Sequence, residues 1–189
     1  MKTIISTFLI ISIGALTFMD DSTNIYIKEG SDITIKGESN LNKFTCHYSK
    51  QIGPSCLSID YQQHNSIIDL KKVKLELESQ HFDCGGHLIN KDFNELMKVQ
   101  KHPHISIEFE KVKIKKDHFD VYAKITIADI ANHYNFEVIH ENKQNYLGSL
   151  NLNINDFDMK APKKLLGAIK VDPNISIVFD LNLEIGKQE

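Results

Sequence analysis

The chain of 189 residues is defined first by what it lacks. After Phe18 there is no second long apolar run, so no transmembrane span is expected in the mature protein. It contains no Gly-x-Ser-x-Gly elbow, no phosphate loop and no dinucleotide fingerprint, and its carboxylates are spread along the chain. That pattern points away from hydrolases, nucleotide enzymes and catalysis in general, and no cofactor is expected. The net charge is -3, which argues against nucleic acid as a partner, because phosphate binding needs a clustered positive field. The lysines of KKVKLELE and EKVKIKKDHF alternate with apolar residues, as on the solvated face of a strand. Cysteine is scarce too. Cys46, Cys56 and Cys84 allow one disulfide with one thiol left over, and spacing alone does not fix the pairing.

What is present begins with an export signal. Lys2 precedes an apolar run from Ile4 to Phe18, followed by Asp20 and Asp21. This reads as a secretory signal peptide over residues 1–17, cleaved after Thr17 with Ala15 three positions before the new terminus. No cysteine follows the run, so the usual lipoprotein acceptor is missing. The mature protein is then expected outside the inner membrane, in the periplasm or secreted, as one domain over residues 24–187.

Most of that domain alternates with a period of two, the mark of strands with one buried face. The inward rows are Ile33 and Ile35; Phe44, Cys46 and Tyr48; Val73, Leu75 and Leu77; and Ile105, Ile107 and Phe109. They continue with Val121, Ala123, Ile125 and Ile127; Tyr134, Phe136 and Val138; and Leu150, Leu152 and Ile154. The last strand offers Ile175, Ile177, Phe179, Leu181, Leu183 and Ile185. About eight such segments predict an all-β, antiparallel sheet or barrel.

Two segments break the period. In NKDFNELMKVQKHP, Phe93, Leu96, Met97 and Gln100 follow helical spacing. Asn90 is placed to cap the first turn, Asp92 to suit the helix dipole, and Pro103 to stop the helix, which predicts an amphipathic helix over 90–101. The second, DFDMKAPKKLLGA, reads as a turn or short helix. Between strand and helix lies HFDCGGHLINKDF, with His81, Cys84 and His87 at three-residue intervals. Soft ligands at that spacing suggest zinc or copper, with His102 or His104 in reserve. On a strand, however, residues three apart point to opposite faces, so no metal site is expected there.

The order of these segments resembles the YceI-like family of exported bacterial lipid-binding proteins. DITIKGESNLNKFTC is similar to the family's opening strand, and INKDFNELMKVQKHPHISIEF to its helix, corner and following strand. YAKITIADIANHYNFEV looks like its central hairpin, and INDFDMKAPKKLLGAIKVDPNISIVFDL like its closing segment. The likeness spans residues 31 to 185. Departures include Asp129 where the hairpin usually has glycine and Phe44 where tryptophan is common, in a chain with no tryptophan. His102 stands where a tyrosine usually precedes the proline, and Ala161-Pro162 where a Pro-Pro pair is frequent.

The resemblance implies an eight-stranded antiparallel lipocalin-like barrel with one inserted amphipathic helix and a short helical or turn segment. It implies a polyisoprenoid or other long-chain lipid as partner, one per barrel or per homodimer, and no catalytic residue. The expected lumen and lid residues are Ile33, Ile35, Phe44, Leu75, Leu77, Phe93, Leu96, Met97, Ile105, Ile107, Phe109, Ile125, Ile127, Phe136, Val138, Leu152, Ile177, Phe179 and Leu181. Family members with the TC and FDCG pattern imply a Cys46–Cys84 disulfide; Cys46–Cys56 is the alternative. Two rival functions stand beside this one: a periplasmic stress or redox accessory protein with a His/Cys metal site, and a filled barrel acting as an interaction module.

Overall fold

The computed structural model describes residues 21–54, 56–161, 163–164 and 169–187. The expected signal peptide, 1–17, lies outside the described residues, as do Pro162, Leu165 and Leu166 of the second period-breaking segment. The strands are β1 (Asp21–Ile27), β2 (Asp32–Glu38), β3 (Lys43–Tyr48), β4 (Cys56–His64), β5 (Ile67–Glu78) and β6 (Phe82–Asp83). A single helix among the described residues, α1 (His87–Leu96), precedes β7 (His104–Ile114), β8 (Phe119–Ile127), β9 (Ile130–His140) and β10 (Asn145–Asn153). The short pair β11 (Lys163–Lys164) and β12 (Ile169–Lys170) leads to the long β13 (Asn174–Lys187). No helix of the described residues is long and apolar enough to cross a membrane.

The fold is all-β, and its main sheet closes on itself. The antiparallel order β1-β4-β5-β7-β8-β9-β10-β13 returns to β1, giving a ring of eight strands. β13 is long enough to carry β1 and β2 in succession on one edge. Asp32–Lys36 pair with Asp180–Ser176, and Thr23–Ile27 pair with Lys187–Leu183. The β2-β3-β6 branch therefore continues the wall along the first half of β13.

Alternation places the core as expected along most strands. In β5, Val73, Leu75 and Leu77 are buried while the Lys and Glu residues between them face outward; in β8, Val121, Ala123, Ile125 and Ile127 are buried. Burying such side chains contributes about 1.5–3 kcal/mol each, which holds these strands face-in against their modest local preferences. Two positions depart from strict alternation. Thr34 is buried between Ile33 and Ile35, its hydroxyl donating to Asp32 at 2.7 Å. Ile185, expected inward, is 57% exposed, because pairing with β10 ends at Asn182 and one flank of β13 is uncovered beyond it. The β8–β9 turn puts both Ala128 (φ 49) and Asp129 (φ 67) in the left-handed region, so Asp129 does serve where glycine is usual.

The helix begins earlier than its apolar spacing suggested. Gly86 occupies the N-cap without a side-chain cap, and α1 ends at Leu96. Asn90 lies inside the helix and caps nothing. Its side chain instead accepts from the Cys84 amide at 2.7 Å and donates to Asp83 at 2.9 Å, tying α1 to the end of β6. Gly85, at φ 83, makes the bend that this tie requires. The second period-breaking segment, residues 156–168, opens on the end of a 3₁₀ turn over Ile154–Phe157 that buries Ile154 and Phe157, and further on it contributes the short strand β11.

Candidate functional site

The interior of the fold is apolar, and the residues expected at the lumen and lid are found either within its core or packed against it, in two different conditions. Ile33, Ile35, Leu75, Leu77, Met97, Ile105, Ile125, Ile127, Phe136, Val138, Leu152 and Ile177 are between 1% and 8% exposed. Covered by neighbouring side chains, they form packed core. Phe44, Phe93, Leu96, Ile107, Phe109, Phe179 and Leu181 are only partly buried and pack against that core. These keep apolar surface available.

Three of the second group meet at one place. Phe44, Phe93 and Leu96 line a cleft of about 580 Å³ between α1 and the β2–β3 hairpin, together with Leu88, Ile89 and Val171. Its lining also includes the polar residues Ser39, Asn42, Lys43, Thr45 and Asp92. Phe44 stands directly opposite Gly37 and Cys46 opposite Ile35, so the floor of the cleft is the same face of β2–β3 that supplies the core. A Cβ at Gly37 would lie 2.4 Å from the Phe44 ring, so any larger residue there has to push that ring aside. The roof is light. No residue of α1 is fully buried, and Leu88 is 76% exposed. Met97, expected on the lid face, follows the helix and is buried in the core instead, away from the cleft lining. Leu88 and Ile89 escaped the sequence reading because the helix was started at Asn90. Val171 has no periodic signal at all.

The disulfide builds one wall of this cleft. Cys46, fully buried on β3, is bonded to Cys84 just ahead of α1, and both line the cavity. This is the pairing implied by the family resemblance, and it leaves Cys56 as an exposed free thiol. It also removes the thiolate from the His81–Cys84–His87 series. The three residues do not share a strand: His81 ends a 3₁₀ turn, Cys84 follows β6, and His87 opens α1. Their regular spacing therefore has no regular geometry behind it, and strand parity is not what separates them. His81 lies 3.2 Å from Glu78, and His102 lies 3.0 Å from Asp129. Glu78 is held well down, to about 2, by hydrogen bonds from Lys50 and Gln80.

A second opening lies in the ring wall. β9 and β10 pair only through Val138–His140 and Tyr146–Gly148, and beyond that point they part around a cavity of about 400 Å³. Tyr134, Phe136, Glu137, Ser149 and Asn151 are among its lining residues. Tyr134 stacks on Phe157 at 6.1 Å and donates to Asp156; burial, then the Asp156 charge and hydrogen bond, pushes its phenol up to about 12.

The ring is similar to several solved structures. Burkholderia cenocepacia BcnA has a TM-score of 0.60 at 14% identity, covering 82% of this chain and 96% of that one. A polyisoprenoid binding domain from Saccharophagus degradans, implicated in plant cell wall breakdown, has a TM-score of 0.54 at 10% identity, covering 87% and 98%. Campylobacter jejuni YceI has a TM-score of 0.50 at 12% identity, covering 64% and 75%. Identities this low speak for the fold alone. No curated protein matches the chain in sequence. The family model for the YceI-like domain, however, matches residues 28–183, from the end of β1 to the last third of β13, and the chain belongs to the YceI-like family.

Proposed function

We propose that this protein is a non-catalytic carrier whose ring acts as a lipocalin-like barrel for the tail of a polyisoprenoid or similar long-chain lipid. The observation that carries the reading is the apolar cleft roofed by a helix none of whose side chains is fully buried. At about 580 Å³ it falls within the range of about 300–1,000 Å³ typical of small-molecule sites. Its apolar floor runs onto the core face, while Lys43, Ser39, Asn42 and Thr45 in the lining offer partners to a polar head group. A tail entering past Phe44, Phe93 and Leu96 loses contact with water at about 25 cal/mol per Å² of apolar surface, so no special chemistry is needed for tight binding. Family membership and the polyisoprenoid-binding neighbour from Saccharophagus degradans support the same ligand class.

Export is part of the proposal. The apolar run Ile4–Phe18 supplies a signal, and the Cys46–Cys84 bond suits an oxidising compartment, periplasm or medium. The rival metal or redox role built on His81, Cys84 and His87 loses its central ligand to that bond.

Native mass spectrometry of the purified chain, before and after organic extraction, tests the reading. The expected result is one long-chain lipid per chain or per homodimer, removable by extraction and restored by adding a polyprenyl phosphate. Phe93→Asp and Leu96→Asp place a charge in the cleft and are expected to weaken rebinding by about tenfold or more. A folded chain that neither retains nor rebinds any lipid would refute the proposal.

A further inference from the structure

Away from the cleft, at the end of the ring where β7 turns into β8, three side chains that ligate metals converge. His118 sits in the turn, Asp120 near the start of β8 and Glu137 on β9, and their ligand atoms all lie within 4.8 Å of one another. We propose that His118, Asp120 and Glu137 bind one divalent transition cation of the zinc type, with water completing the coordination.

Strand pairing creates the electrostatic need. Asp120 and Glu137 are direct partners in the β8–β9 register, where two like charges destabilise a sheet unless a cation lies between them. His118 turns its Nε2 into that space, 3.3 Å from Asp120 Oδ1. Its other nitrogen is already committed, since Nδ1 lies 2.8 Å from the Asp117 carboxylate. A carboxylate holding one imidazole nitrogen fixes the tautomer and aims the other at the metal, the arrangement typical of histidine ligands. The side chains of His118 and Asp120 are 26% and 17% exposed, half-dry yet reachable by an ion from solution.

The ligand set selects the metal class. One imidazole nitrogen with two carboxylate oxygens suits zinc, whose bonds to both are about 2.0–2.2 Å. Calcium and magnesium prefer oxygen alone. Ligand atoms on a tetrahedron of that size lie about 3.4 Å apart; the His118–Asp120 pair at 3.3 Å already has that spacing, and Glu137, within 4.8 Å of both, has at most about 1.4 Å to close. Glu137 is exposed and free to swing that far. The resident competitor is Lys115, whose ammonium lies 3.4 Å from Asp120 Oδ2 and must yield when the ion enters.

The test is a zinc titration of the full chain, freed of metal by chelator dialysis, in competition with a chromophoric chelator at about pH 7.5. Cys56→Ser serves as the parent, because the exposed thiol would otherwise bind zinc on its own. One equivalent is expected, with His118→Gln and Glu137→Gln each weakening it by more than about tenfold, Asp117→Asn weakening it less, and His81→Gln leaving it unchanged. Lys115→Ala tightens it. Protons compete with the metal for the imidazole, so affinity drops as the pH falls through the histidine range. The inference is overturned if the parent takes up no stoichiometric zinc, if His118→Gln and Glu137→Gln bind as tightly as the parent, or if calcium binds as well as zinc. Circular dichroism confirms that each variant is folded, and a failure of His118→Gln to fold leaves Glu137→Gln and Lys115→Ala to decide.

Discussion

Replacing both bridged cysteines, Cys46→Ala with Cys84→Ala, removes a crosslink that closes 38 residues of chain. In the chain-entropy model, loop closure of that length is worth about 13 cal/mol/K, or roughly 4 kcal/mol at about 25 °C. A domain of ordinary stability has only about 5–15 kcal/mol in total, so the loss is large. At about 2–4 °C per kcal/mol for a chain of this size, the melting temperature should fall by roughly 8–16 °C. Because the bridge acts on the unfolded ensemble, its removal should also raise the denaturant m-value as that ensemble expands. The same bond pins β3 to the start of α1 and lines the cleft, so lipid retention should weaken even where the variant is still folded. Urea unfolding of parent and double variant, alongside alkylation of the denatured but unreduced parent, gives the measurement. One reactive thiol, Cys56, is expected. Three reactive thiols, or a stability loss below about 1 kcal/mol, would refute the reasoning.

Gly148→Ala is expected to cost about 1–3 kcal/mol by overpacking, because its Cβ would lie 2.2 Å from the Phe179 ring and 3.0 Å from the Glu137 carbonyl. Phe179→Leu in the same chain should recover part of that loss, and a thermal-melt double-mutant cycle measures the coupling. Tyr134 should ionise well above the ordinary phenol range, near pH 12, in an ultraviolet phenolate titration. The folded chain keeps a proton that the unfolded chain releases near about pH 10, so stability is lost as pH rises through this window. Tyr134→Phe should flatten that slope in alkaline unfolding curves, and Asp156→Asn should lower the titration point.

The strands were legible because each records its own burial in a local period. Leu77, Ile125 and Leu152 could be placed inward from their neighbours alone, and the structure buries them. Helix α1 was legible only in its second half, where Phe93 and Leu96 carry the apolar spacing. Its first turn holds His87, Leu88 and Ile89 behind an uncapped glycine, and the cap chemistry of Asn90 is spent on the Cys84 amide. The exposed Leu88 and the bend at Gly85 make sense only once α1 is seen spanning the β2–β3 hairpin.

By itself, then, the sequence determined an all-β domain, its inward rows, the absence of familiar catalytic motifs and a disulfide pairing implied by family resemblance. Tertiary structure alone decided which inward residues are packed core and which keep an open face, because that depends on what covers them from across the ring. It also brought His118, Asp120 and Glu137 together. Nothing in a spacing of residues from different strands announces such a cluster; the β8–β9 register sets Asp120 against Glu137, and the turn before β8 delivers the imidazole between them.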